Sequence, residues 1–189
     1  PRSWHEAGIR RHGFHGASHK YIAERSAELL ARDDVAAAAR GLYQNGPGRV
    51  ERPLRVISCH LGGSSSVTGI RNGVAVGTSM GFSPQSGLPQ NNRVGDLDSG
   101  AIPYAARILG LSMAEVEQQL TRESGLLGVS GVGSDMRDVR AAALEGDADA
   151  QLAVDLFVHE IRRWASSFLF ELGGLEGLVF TAGIGENNP

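Results

Sequence analysis

Apolar and polar positions alternate along this chain with two different periods, and the switches between them mark its elements. Leu54-Arg-Val-Ile-Ser-Cys59 is a short apolar run with β-branched residues, the pattern of a buried strand. Ser65 to Arg71 and Val74 to Thr78 are two further strand-like runs joined by Asn72-Gly73. Both turn positions of such a hairpin need positive φ, which Asn and Gly tolerate, so the pair predicts a tight reversal. Helical spacing takes over elsewhere. Tyr21, Ile22, Ala23, Leu29 and Leu30 predict a helix over Lys20 to Ala31, with Phe14 and His15 on the loop just before it. Residues 33 to 53 read as a helix extension followed by a surface excursion, and residues 1 to 12 give no clear element.

Beyond the hairpin, Asp98 or Ser99 can cap a helix through Gly110, with Pro103 near its first turn. Ser112 and Glu115 make a capping box for the next helix. Glu123 to Gly131 is glycine-rich, with Leu126, Leu127 and Val129 to bury. Ser134 is placed to cap a helix ending near Gly146. A long amphipathic helix from Asp147 or Asp149 to Leu172 places Leu152, Leu156, Ile161, Ala165, Phe168 and Leu169 near one face, and Gly173-Gly174 stops it. Leu178 to Thr181 is a short strand leading into a glycine loop, Gly183 to Asn187. Strands interleaved with helices predict an α/β protein, a mixed sheet with helices on its faces.

Composition narrows the function classes. With 189 residues and 41% hydrophobic content, the chain can bury a real core. A net charge of −3, with 18 basic and 21 acidic residues interspersed, gives no nucleic-acid surface. No apolar run approaches the roughly 20 residues that span a bilayer, and the single cysteine, Cys59, fits a reducing compartment. A soluble, cytoplasmic protein is expected. The start at Pro1 without methionine, and the end on a glycine loop without its following helix, predict a piece of a longer polypeptide.

Three features carry candidate chemistry. Glycine corners at Gly62-Gly63 and Gly183 to Gly185 each follow a strand, where backbone N–H groups can cradle phosphate oxygens or simply close a turn; neither matches a Walker A loop or a dinucleotide fingerprint. His12, His15 and His19 fall within eight residues. They can be a metal pair at helical spacing, satisfied loop or core histidines, or a catalytic His15 beside an anionic substrate. Arg93 stands in a segment rich in amides and glycine. It can clamp a carboxylate or phosphate, or pair on the surface with Asp96 or Asp98.

The motifs His12-Gly-Phe-His-Gly-Ala-Ser-His19, His60-Leu-Gly-Gly-Ser-Ser-Ser66, Thr78-Ser-Met-Gly-Phe-Ser-Pro84, Glu123 to Gly131, Ser134-Asp-Met-Arg-Asp138 and Phe180-Thr-Ala-Gly-Ile-Gly-Glu-Asn187 resemble, in order, the signatures of the acetate, propionate and butyrate kinase family. The resemblance implies a fold of the actin, sugar kinase and Hsp70 (ribonuclease H-like) type. It also implies reversible ATP-dependent phosphorylation of a short-chain carboxylate, acetate foremost, to acyl phosphate and ADP, with Mg²⁺ bridging the phosphates and the whole protein a homodimer. On this likeness His15 and Arg93 would stabilise the transferring phosphoryl group, and Phe14 and Pro84 would border the acyl pocket. His60, Leu61, Gly62, Gly63 and Ser64 would contact nucleotide phosphates. Asp135, Met136 and Arg137 would meet the nucleoside, and Gly183, Ile184, Gly185, Glu186 and Asn187 the adenosine and its phosphate side. No metal ligand is assigned within the chain.

The likeness divides the chain into residues 1–53, the end of an N-terminal domain region with a crossover helix and an insertion, and 54–189, a truncated nucleotide-binding domain. Two departures stand out. Gly63 replaces the family's usual Asn in the His-Leu-Gly-Asn-Gly loop, and Asn91-Asn92 replaces the usual Gly-Thr before the arginine, preceded by Pro89-Gln90 instead of two apolar residues. These predict a changed rate, phosphate donor or acyl preference, or a nucleotide-binding module that has lost catalysis. The isolated piece is expected to have little or no kinase activity.

Overall fold

The computed structural model describes residues 1–188. Its elements run α1 (Arg2–Glu6), α2 (Gly16–Leu29), α3 (Asp33–Asn45), β1 (Arg55–Leu61), β2 (Ser65–Arg71), β3 (Val74–Thr78), α4 (Ala101–Leu109), α5 (Met113–Arg122), α6 (Gly125–Ser130), α7 (Met136–Leu144), α8 (Ala148–Leu172), β4 (Gly177–Thr181) and α9 (Ala182–Asn187). They gather into two compact units built from separate segments. The first holds Pro1–His12, Gly63–Ser65 and Met80–Glu160; the second holds Gly13–Gly62, Ser66–Ser79 and the chain from Ile161 onward. The expected boundary between residues 53 and 54 lies inside the second unit.

The second unit is organised on a four-stranded mixed sheet in the order β3-β2-β1-β4, with β1 and β4 parallel and β2 and β3 antiparallel. Asn72 and Gly73 both take positive φ, as the hairpin requires. Gly69 pairs with Gly77 across β2 and β3. Phe168 of α8 lies against both: a Cβ on either glycine would come within 2.8 Å of its ring. Ile22, Ala23 and Ala27 of α2, Val35 and Ala36 of α3, and Leu54, Val56 and Ile70 form a core cluster.

The helix expected from residue 33 forms as α3 (Asp33–Asn45) and packs Val35 and Ala36 into this core. The chain reverses at Ala31 (φ 52°), so α3 folds back on α2 instead of extending it. Arg32 anchors the reversal through two 2.9 Å bonds to Asp34.

In the first unit, Val116, Leu126, Met136, Val139, Ala150, Ala153 and Phe157 are buried. The Ser112/Glu115 capping box forms. Other expectations are corrected. The α7 cap is Asp135, whose carboxylate accepts from Arg137 N at 2.9 Å, and not Ser134. The glycine-rich stretches 125–130 and 182–187 are short helices, and α1 adds one where none was expected. Along α8 the buried positions are Ala150, Ala153, Phe157, Phe168 and Leu172, while Leu152 is 56% and Leu169 41% exposed. Apolar residues occur almost all round this helix, so periodicity alone does not single out its packed stripe.

Candidate active site

In the second unit, the loop before α2 and the ends of β1 and β2 bring three histidines together. His15 is the N-cap of α2 and sits in the left-handed region (φ 62°), a backbone state uncommon outside glycine and often kept at functional positions. Its Nδ1 lies 2.8 Å from Ser66 Oγ. The same hydroxyl is 2.8 Å from His19 Nε2, and His19 Nδ1 is 2.9 Å from Ser58 Oγ. His60 Nδ1 bonds Ser18 Oγ at 2.9 Å, and its ring stacks on His15 with centroids 3.9 Å apart. Burial, with His15 and His60 adding to it, pushes the His19 pKa from 6.5 down to about 4; burial also lowers that of His60.

His19 is thus a neutral relay between two serines. Ser66 Oγ occupies the place between His15 and His19 where a shared metal would have to sit. Among the described residues no group of three or more His, Cys, Asp or Glu is placed to hold a metal ion.

In the first unit, a loop holds Arg93. Its Nη1 donates to Ser64 Oγ at 3.1 Å and to Gln90 Oε1 at 3.2 Å. Ser64 Oγ also donates to Gln90 Oε1 at 2.9 Å, and Gln90 Nε2 donates to Pro84 O at 2.6 Å. Gln90 is 1% exposed and serves as the hub of this network. Arg93 makes no ion pair with Asp96 or Asp98. Asp96 instead accepts from Gly87 N and Asp98 from Gly100 N, both at 2.8 Å. A guanidinium held only by neutral oxygens keeps its charge available to an anion.

The backbone around Arg93 is clamped. Leu126 N donates to Gln90 O, Leu127 N to Asn91 O and Ser124 N to Asn92 O, at 2.8 to 3.1 Å. Gly125 (φ +63°) approaches so closely that a Cβ there would lie 2.0 Å from Gln90 O. Pro84 and Arg93 line an open cavity of about 830 Å³ with Gln85, Asn92, Glu117 and Gln118.

The remaining candidates are placed as follows. Phe14 is half-buried beside His15, and Leu61 is buried at the end of β1. The Asp135 carboxylate is engaged by Arg137, whose side-chain and backbone hydrogen bonds hold its pKa down to about 2, and the Met136 side chain is buried. Gly183 to Asn187 form α9, packed on β1 and β4, with Glu186 Oε1 accepting from Ala182 N at 3.2 Å. No role follows from the sequence for Ser58 or Ser66, and Gln90 stands out there only as a departure from the family pattern. A buried serine or glutamine carries no spacing signal, and its role appears only with its partners.

The model of the acetokinase family matches residues 1–189. The chain belongs to the acetokinase family. It is 47% identical over 187 residues to a propionate kinase of Escherichia fergusonii, covering 99% of this chain and 42% of that protein. It is 43% identical over 181 residues to an acetate kinase of Shouchella clausii, covering 96% and 42%. Among acetokinase structures, the acetate kinase of Porphyromonas gingivalis superposes with a TM-score of 0.85 at 33% identity, over 99% of this chain and 43% of that one. The propionate kinase of Francisella tularensis gives 0.84 at 36% identity, over 98% and 43%. The chain thus spans less than half the length of the relatives it matches.

Proposed function

We propose that the protein carrying this chain transfers the γ-phosphoryl group of ATP to a short-chain carboxylate, acetate or propionate, giving acyl phosphate and ADP. The observation that carries this is Arg93. It is pinned by Ser64 and Gln90, unpaired with any carboxylate among the described residues, and set beside the glycine corner at Gly63.

In the reaction, a carboxylate oxygen forms a bond to the γ-phosphorus as the bond from that phosphorus to the ADP oxygen breaks. Negative charge spreads over the oxygens in flight, so catalysis asks for placed cations and donors more than for covalent help. Arg93 supplies a fixed charge. His15, oriented through Nδ1 by Ser66, supplies a second donor. The residues His60 to Ser64 offer backbone N–H groups and the Ser64 hydroxyl to the phosphates. Asp135 to Arg137 and Gly183 to Asn187 serve the nucleoside side, the former through backbone and Arg137 since Met136 is buried. Mg²⁺ would neutralise the polyphosphate in such a transfer. Phe14 and Pro84 would border the acyl group.

A homodimer agrees with this reading, and the exposed Tyr104, Ile108, Leu109 and Met113 of the α4–α5 region supply apolar surface for one. Trapping acyl phosphate as hydroxamate, with ATP and acetate or propionate, tests the activity. Product with either acid that falls at least about 100-fold in His15→Ala supports the proposal; no product with either acid contradicts it.

A further inference from the structure

Ser58 of β1, His19 of α2, Ser66 of β2 and His15 form one continuous line of hydrogen bonds inside the second unit. The separations are 2.9 Å from Ser58 Oγ to His19 Nδ1, 2.8 Å from His19 Nε2 to Ser66 Oγ and 2.8 Å from Ser66 Oγ to His15 Nδ1. Both nitrogens of His19 meet hydroxyls, which fixes how its ring is turned. Ser58 and Ser66 are wholly buried and His19 is 5% exposed, so bulk solvent supplies none of their partners. His60, stacked on His15, spends its Nδ1 on Ser18 and enters neither end of the line.

The protons in this line can run in two directions, and its inner end decides between them. Among the described residues His19 Nδ1 is the only hydrogen-bond partner of the Ser58 hydroxyl. Were His19 to donate through Nδ1, the Ser58 O–H would be a buried donor without an acceptor, and such an orphan is costly. With Ser58 donating instead, every proton in the line has a taker: Ser58 O–H to His19 Nδ1, His19 Nε2–H to Ser66 Oγ, and Ser66 O–H to His15 Nδ1. Burial keeps His19 neutral, so it carries the single N–H that this order requires. We infer that Ser58, acting through His19 and Ser66, is a positioning residue that holds neutral His15 in the tautomer protonated at Nε2, with Nδ1 an acceptor. His15 then offers a directed N–H to a phosphoryl oxygen without itself carrying a positive charge. The use of that proton rests on the transfer reading given above and deepens it; the direction of the line stands on the hydrogen-bond geometry alone.

Nitrogen-15 spectra of the imidazoles test it. Long-range proton–nitrogen correlations are recorded on the whole chain at about pH 8, above the ordinary histidine range, with His15→Gln and His19→Gln spectra assigning the signals. The expected parent pattern is an unprotonated Nδ1 and a protonated Nε2 on both rings. A proton on Nδ1 of either ring overturns the proposal. In Ser58→Ala, with folding confirmed by thermal melt, His19 loses the contact that selects its tautomer, so the His15 signals should move to values averaged between the two tautomers. A folded Ser58→Ala that keeps the parent pattern overturns the proposal. Ser66→Ala, which cuts the line beside His15, carries the same expectation for His15 where Ser58→Ala fails to fold; where neither folds, the parent spectrum decides alone. In the acyl phosphate-forming protein, Ser66→Ala should lower kcat about tenfold and leave KM for both substrates within about threefold. A parent-like kcat in that variant overturns the positioning role. Absence of acyl phosphate with either acid overturns the transfer reading instead, while the ring signals still decide the direction of the line.

Discussion

Ser66 Oγ sits between two imidazole nitrogens and has one proton to donate, so its donation to one ring requires it to accept from the other. His19 can serve in either sense only while neutral, and its burial keeps it so at neutral pH. Ser66→Ala removes that partner from both rings, and a denaturant titration should show a loss of about 1–3 kcal/mol. The lowered His19 pKa has a definite sign. The unfolded chain takes up a proton near 6.5 that the folded chain refuses until about 4. Stability is therefore full above about pH 6.5 and falls as the pH drops toward 4, by roughly 2 kcal/mol at pH 5 from His19 alone. His60, also lowered, acts with the same sign. The paired carboxylates Asp34 and Asp135, held down to about 2, lose their contribution only at lower pH. Unfolding followed from pH 7.5 to 5 should show this slope, and His19→Gln should flatten most of it; an equal slope in the variant would contradict the assignment. Cys59, buried in β1 with its thiol pushed up to about 12, should stay unreactive to thiol reagents until the chain unfolds. From local sequence His15 and Arg93 stand open between a structural and a chemical role, and only the resemblance to the family's motifs singles them out. Their supports, Ser66 and Gln90, are not legible, since nothing local distinguishes a hydrogen-bond hub from any other polar residue.

Elements set by their own sequence were read most accurately. The Asn72-Gly73 hairpin and the Ser112/Glu115 capping box are settled within four residues, and both form. Elements set from a distance were missed. The first-turn N–H groups of α6 are satisfied by the carbonyls of Gln90 and Asn91, not by a side-chain cap, so this glycine-rich helix depends on a loop some 35 residues away in sequence. The contact predicts the effect of Gly125→Ala. With φ +63° and no room for a Cβ against Gln90 O, the substitution should cost at least about 2 kcal/mol and displace Arg93, so that kcat for acyl phosphate formation falls along with stability. Phe168 makes the corresponding contact in the other unit. Truncation to Ala uncovers the Gly69/Gly77 pair and should cost about 3–5 kcal/mol in chemical denaturation, with little direct effect on nucleotide binding in the molecules that remain folded.

At the scale of the whole molecule, the fold class followed from the strand and helix order, while the interleaving of the two units did not. Each unit collects segments from both sides of the hairpin, an arrangement that no composition shift along the chain reports. No helix among the described residues is long and apolar enough to cross a membrane. The chain belongs to the acetokinase family and matches less than half the length of its relatives. The central claim is that Arg93 acts on the phosphoryl group in transfer and contributes little to holding the nucleotide at rest. The direct measurement is Arg93→Ala in the acyl phosphate-forming protein, with kcat read from hydroxamate formation and ADP affinity from calorimetry. A fall in kcat of about 100-fold or more, with the ADP dissociation constant within about threefold of the parent, is the predicted result. A kcat within about tenfold of the parent would contradict the account.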